Sequence, residues 1–504
     1  PALSEEVRVV ETESRLGPAE IPDALAHRRW YALALLCTTF FVIILDGSIV
    51  IVAIPSIGSD LVMAPAVSQW VISGYAVPFG GLLLLGGRAA DRLRRRRVLM
   101  CGLALFALSS LVCGFATTSG LLVAARMMQG AAAAVMAPSA LSIIVATFPE
   151  GRERNNALGV WGVTGGIGGT AGALLGGPIT DGLGWPWIFF VNVPVCTVLL
   201  ALCPILLRDS RPGTSRGPFD VLGAASVTAA LLLLIYAVVQ APTNGWGAAS
   251  TLVPLTAAAC SGVLLWWVES RSKDPLIPLP VLASRRLIGG NVVTIGIGMM
   301  AFGGISFLLT LYAQDVLGYS ASAFGAMTSV NAVMAMIGSV TGQRAVTIFG
   351  PRPVAAVSLL LTALACAYLT RIDVGGNYVI DMLPGLLLFG VGLGAGTVAG
   401  QIAALSGVSE RHAGVASGIS TAAFQFGGAL GIAVLSSAAV WRTNRAVAGS
   451  APAHALTDGY RFGFVVAVVI GAASLVLTYF LLRRVTQQPA PTTIEEKETP
   501  CSTY

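Results

Sequence analysis

The apolar residues of this chain come in long runs separated by short polar stretches. A helix needs about 20 apolar residues to cross the hydrocarbon core of a bilayer, so such runs read directly as membrane spans. Fourteen are predicted, over residues 30–57, 68–87, 98–117, 121–148, 156–180, 187–207, 221–240, 249–269, 288–314, 323–349, 353–370, 379–405, 414–440 and 460–482. The first is too long, and too closely followed by others, for a cleaved signal peptide, and it is expected to stay in the mature protein.

The polar stretches set the layout. Arg208 to Pro218 is rich in Arg, Pro, Gly and Ser, and Arg271 to Arg286 holds three prolines, which makes these the two best internal breaks. They divide the chain into a tail (1–27), six spans (28–210), a two-span insert (211–275), six more spans (276–484) and a second tail (485–504). Two six-span halves with the substrate path between them is a layout of many secondary transporters. The predicted fold class is thus an all-α membrane protein of two six-helix bundles plus a two-helix insert.

Composition strengthens this reading: of 504 residues, 55% are hydrophobic and 11% charged, and the mean hydropathy is +0.80. The net charge of +6 matters less than where the charges sit. With the N-terminus inside, 22 of the 30 Lys and Arg fall at cytoplasmic ends and four in outer loops. Positive loops face the cytoplasm, so both termini are expected there. The basic run Arg94 to Arg97 lies in a short loop between apolar helices and reads as a topology signal rather than a nucleic-acid site. The eight cysteines and three histidines show no metal-ligand or disulfide spacing, and no catalytic triad or phosphate loop is visible, so neither an enzyme nor a metal site nor any cofactor is indicated.

Placing every charge leaves Asp46 as the one carboxylate, and Arg126 as the one cation, well inside a span. A mid-membrane charge costs at least ~2.5 kcal/mol on insertion scales, so such residues face the bundle interior or a wet cavity. Counted from Pro55 and Gly120, they lie ~14 Å and ~9 Å from the outer helix ends, compatible with a shared cavity. A single deep carboxylate suits neutral or monocationic lipophiles better than divalent cations. Trp70, Tyr75, Trp161, Phe307, Tyr312, Asn331, Met334, Phe424 and Gln425 are the aromatic, thioether and amide candidates for lining such a pocket.

Gly87-Arg88-Ala89-Ala90-Asp91-Arg92-Leu93-Arg94-Arg95-Arg96-Arg97, between spans two and three, resembles the loop signature of the major facilitator superfamily, Gly-x-Leu-x-Asp-Arg-x-Gly-Arg-Lys/Arg. Ala89 stands for its Leu and Arg94 for its Gly. Leu122 to Gly130 looks like the family's Leu-x-x-x-Arg-x-x-Gln-Gly motif. Leu45-Asp46-Gly47-Ser48-Ile49-Val50-Ile51-Val52-Ala53-Ile54-Pro55 resembles span one of the fourteen-span drug:proton antiporter branch, with Ile51 where Asn is usual. Gln69-Trp70 with Tyr75, Trp187 to Pro194, Phe219-Asp220, Tyr312-Ala313-Gln314 and Gly414 to Gly418 are similar to further stretches of that branch.

The resemblance implies a multidrug efflux transporter working by alternating access on the proton gradient; the preference for Arg over Lys (28 to 2) and the wealth of Ala and Gly suggest a GC-rich bacterial genome, and a monomer in the bacterial inner membrane is expected. It places spans one and four side by side, with Asp46 carrying the proton and Arg126 and Gln129 tuning it. It implies that Gly87, Asp91, Arg92, Arg95 and Arg96 form a loop that holds one access state closed through charge-assisted bonds. The branch carries Gly-Pro-x-x-Gly-Gly in span five; here the stretch is Gly172-Ala173-Leu174-Leu175-Gly176-Gly177, without that proline. This departure weakens the expectation of antiport, and Gly172, Gly176 and Gly177 are the candidate hinge in its place. Export of an endogenous lipid or cell-envelope metabolite, without proton coupling, is the alternative cargo reading.

Overall fold

The computed structural model describes residues 23–149, 151–207, 221–271, 284–406, 408, 410–446 and 451–482. Both terminal tails, except the four residues at 23–26 and Ala26's successor His27, and both internal breaks fall mainly outside these residues. Among the described residues there is no strand. The helices are α1 (Asp23–Asp60), α2 (Trp70–Arg92), α3 (Arg95–Gly114), α4 (Ser119–Thr147), α5 (Arg152–Leu183), α6 (Asn192–Leu206), α7 (Val221–Asn244) and α8 (Ala249–Arg271). They continue as α9 (Arg285–Val316), α10 (Ala321–Phe349), α11 (Pro351–Leu369), α12 (Tyr378–Leu405), α13 (Glu410–Ala446) and α14 (Pro452–Leu481).

Among the described residues, thirteen helices are long and apolar enough to cross a membrane. The remaining expected span is α7, whose apolar stretch Ala225–Ala241 is shorter. Several helices run past the expected bounds, among them α1, α5 (from 152 rather than 156), α13 (from 410 rather than 414) and α14 (from 452 rather than 460). The first helix begins at Asp23, inside the expected tail, and it runs through Pro55 to Asp60. Proline removes one backbone donor but leaves the rest of the ladder in place, so it bends a packed helix rather than ending it. Among the described residues, three helices start on a hydroxyl cap: Thr118, Ser284 and Ser320 accept from the backbone N–H of Leu121, Leu287 and Ala323.

The same helix pairings occur twice. In α1 to α6, α2 packs on α4, α1 on α5, and α3 on α4 and α6. In α9 to α14, α10 packs on α12, α9 on α13, and α11 on α12 and α14. The two sets meet through α5 against α10 and α2 against α13, contacts that exchange under the same repeat. Helix α7 packs on α8 and also reaches both sets, touching α2 and α13. Ser437 Oγ donates to Val238 O at 3.2 Å in this last contact.

Hydrogen bonds between the sets cluster at the face where α1 ends. Gln314 Nε2 donates to Val52 O (2.9 Å), Ser436 Oγ to Gln69 Oε1 (2.8 Å), and Ser322 N and Oγ to Asp181 Oδ2 (2.8 and 2.5 Å). Helix α9 departs from regular winding: Met299–Leu308 and Tyr312–Val316 are π-helical. These wider turns stack against α13, where Gly303 lies against the backbone of Gly431 and Gly431 against that of Met299.

Candidate functional site

Asp46 on α1 and Arg126 and Gln129 on α4 converge inside the first bundle, and all three are buried. Arg126 Nη1 donates to Asp46 Oδ2 at 2.5 Å and to Gln129 Oε1 at 2.7 Å. Gln129 Nε2 donates to Asp46 Oδ1 at 2.8 Å. Arg126 Nε is anchored on the backbone carbonyl of Val71 at 3.0 Å, and its guanidinium lies 4.4 Å from the Tyr75 ring centroid and 5.8 Å from that of Phe189. The pair thus sits at one depth, although α1 continues beyond Pro55. A buried ion pair is held only when its remaining donors and acceptors are met, and here backbone, amide and ring supply them.

Two residues of this cluster escaped the sequence reading. Asn192, first residue of α6, donates through Nδ2 to Asp46 Oδ1 (2.8 Å) and to Ser110 Oγ (3.2 Å). Ser110 on α3 accepts from Gln129 Nε2 (3.1 Å) and donates to Phe189 O (2.9 Å). Their one signal in sequence is a polar side chain within an apolar run. The short helix Trp187–Phe190 and α6 join at Val191, and this junction sets Asn192 at the level of Asp46.

The other candidates scatter. Tyr75 supports the cluster, its hydroxyl donating to Ile43 O at 3.1 Å. Trp161 stacks on Phe40, with centroids 4.2 Å apart. Trp70 is half-buried against a patch shared by α2, α7 and α13. Phe307 and Tyr312 are buried in the core of the second bundle, and Tyr312 donates to Asp373 O at 2.6 Å. Both lie on the π-helical stretches of α9 and pack in the second bundle's core in this structure. Asn331, Met334, Phe424 and Gln425 are half-buried on α10 and α13, the helices that meet the first bundle. A cavity of about 510 Å³ between α1 and α6, lined by Tyr31, Ala34, Thr38, Val198, Leu202 and neighbours, contains none of the nine candidates.

In the loop after α2, Arg95 Nη1 donates to Ser142 O and Arg96 Nη1 to Leu207 O, both at 3.3 Å, tying the start of α3 to α4 and to the end of α6. The side chains of Asp91 and Arg92 lie outside the described residues. Gly87 faces Pro138, where an added Cβ would find ordinary contact at 3.8 Å. The three candidate hinge glycines lie on an unbroken helix, each at a close approach: Gly172 against Ser48, Gly176 against Ile49, and Gly177 against Ser322 on α10.

Known proteins share this arrangement. The sequence matches the Major Facilitator Superfamily over residues 36–432 and 297–504. The chain belongs to this superfamily. It is 36% identical over 459 residues to the puromycin resistance protein pur8 of Streptomyces alboniger, covering 90% of each chain. It is 37% identical over 452 residues to the cephamycin export protein CmcT of Amycolatopsis lactamdurans, covering 89% of this chain and 91% of the relative. Its fold is similar to that of a bacterial homologue of the human lysosomal transporter Spinster, in an inward-facing and unoccupied conformation, with a TM-score of 0.62 and 17% identity over 92% of this chain and 98% of that one. The superfamily member described here is a multi-pass membrane transporter.

Proposed function

We propose that this transporter exports small lipophilic compounds, neutral or monocationic, in exchange for protons, and that Asp46 is the proton carrier. The observation that carries the reading is a fully buried carboxylate paired to a fully buried guanidinium, in a first bundle that must rock against a second. A proton arriving at Asp46 breaks the neutrality of the pair, which gives the cycle a chemical step that differs between its two states. The relatives named for puromycin resistance and cephamycin export support an antibiotic-like cargo.

The moving bodies of the cycle are residues 28–210 and 276–484, with the insert 211–275 between them. With the termini in the cytoplasm of a bacterial cell, the bonded face at Val52, Gln69, Asp181 and Ser322 is the outer one, and the state seen is closed to the outside. The protein works as a monomer in this reading.

The test is dye or antibiotic flux in proteoliposomes under an imposed pH gradient, with proton release followed in parallel. Wild type is expected to pump with the gradient, and Asp46→Asn to lose gradient-driven flux while still binding cargo. Equal pumping by Asp46→Asn would remove Asp46 from the mechanism, and wild-type flux indifferent to the gradient would remove antiport.

A further inference from the structure

The hydrogen bonds around Asp46 can be followed atom by atom. Its carboxylate accepts from Arg126 Nη1, Gln129 Nε2 and Asn192 Nδ2, and all three are donors. A carboxylic acid needs something these do not offer, an acceptor for its own O–H. The oxygens nearby are nearly all committed. Val71 O holds Arg126 Nε, Ile43 O holds the Tyr75 hydroxyl, and Phe189 O holds Ser110 Oγ. Ser110 Oγ already accepts from both amides. Gln129 Oε1 holds Arg126 Nη1 and faces the Cys113 thiol. Reversing the Gln129 amide would point its N–H groups at a guanidinium, so that side chain is fixed by Arg126.

Asn192 Oδ1 differs from all of these: it is buried and has no hydrogen-bond partner, on a side chain only 1% exposed. Buried amide oxygens without a donor are rare in folded proteins and call for a reason. The ionisable groups facing Asp46 are Arg126 from α4, Tyr75 from α2, Cys113 from α3 and Cys196 from α6. Arg126 has no acceptor, the Tyr75 hydroxyl is turned towards Ile43 O, and the two thiols are weak acceptors.

We propose that Asn192 is the switch that registers the charge of Asp46: when Asp46 takes up a proton, the Asn192 amide turns by half a rotation so that Oδ1 accepts from the new O–H. The inference rests on the reading of Asp46 as the proton carrier. The step is simple in its balance. An O–H bond of a hydronium ion breaks as its proton bonds to one carboxylate oxygen, a water molecule is left behind, and the Asp46–Arg126 pair goes from neutral to a net charge of plus one. Nδ2 leaves Asp46, so a donor that suited the carboxylate is exchanged for an acceptor that suits the acid. Because Asn192 opens α6 just after the Val191 junction, the turn acts at a helix start rather than mid-helix. Asn192 is a positioning residue in this scheme, and Asp46 alone carries the proton.

Infrared difference spectra between high and low pH, on purified full-length protein in lipid with isotope-labelled asparagine, test it. A carboxylic acid band absent from Asp46→Asn reports Asp46. The expected result is a labelled asparagine band that moves with the same pH midpoint, is absent from Asn192→Leu, and whose loss shifts the Asp46 acid band to the frequency of an acid without an acceptor. If Asn192→Leu does not fold, Asn192→Ser replaces it, and the labelled wild-type spectrum still decides. An Asp46 acid band beside an asparagine band that stays still overturns the switch and leaves the proton carrier standing. A spectrum with no Asp46-dependent band overturns both.

Discussion

Adding one methyl group at Gly177 should push the transporter out of the state seen here. A Cβ built on Gly177 falls 2.3 Å from Ser322 Cα and 2.5 Å from both Ala321 O and Ser322 N. All three are backbone atoms, so no rotamer change relieves the clash, and α5 and α10 must move apart. Overpacking of this kind costs about 1–3 kcal/mol. The cost exists only while α5 touches α10; a state in which the two bundles part at this face is spared it. Gly177→Ala therefore shifts the balance between closed and open at this face by roughly 5–150-fold, following the conversion of 1–3 kcal/mol into an equilibrium constant.

The assay is the distance between spin labels placed at Leu183 and Ala326, on either side of the contact, in a background without Cys501 and without Cys101 and Cys260, the exposed thiols among the described residues. Gly182→Ala is the control: it lies on the same helix, and its Cβ meets nothing within 4 Å. A longer distance component should grow in Gly177→Ala and not in Gly182→Ala. Identical distance distributions in folded Gly177→Ala and wild type would refute the reasoning, as would an equal shift from the control.

Two further outcomes are expected. Arg126→Met should lower thermal stability by the equivalent of about 3–5 kcal/mol, since it leaves Asp46 buried without its cation, and the double variant with Asp46→Asn should recover part of that loss in a melting assay. Asp181→Ala removes the acceptor of the Ser322 N–H and hydroxyl at the start of α10, and the same spin labels should report opening in the direction of Gly177→Ala.

The membrane-spanning helices were legible because length and apolarity alone decide a span, and Asp46 and Arg126 because a charge is conspicuous in such a run. Their contact was accessible through the family resemblance, which sets spans one and four together. Asn192 and Ser110 were not, because an amide or hydroxyl costs a membrane helix far less than a charge and its partner depends on rotation about the helix axis. The close glycine contacts were hidden for a related reason: Gly172, Gly176 and Gly177 look alike in sequence, yet two face α1 and one faces α10. The π-helical stretches of α9, Met299–Leu308 and Tyr312–Val316, were not legible either, because the apolar run that carries them reads as one ordinary span.

That placement of glycines links the charge site to the interface. Ser48, two residues after Asp46, reaches Gly168 O at 3.4 Å, and Ile49 lies against Gly176. One residue further along α5, Gly177 meets α10, so a continuous line of packed residues runs from α1 at Asp46 to the contact between α5 and α10. Contiguity alone does not establish coupling, and a double-mutant cycle measures it. The opening caused by Gly177→Ala should differ between the wild-type and Asp46→Asn backgrounds by more than the ~0.5 kcal/mol allowed for independent sites. Asp46→Asn mimics the neutral acid, so the expected sign is the smaller additional opening in that background, part of the change having already occurred. Strict additivity would mean that Asp46 and the α5–α10 contact act through separate elements, and that α5 transmits nothing between them.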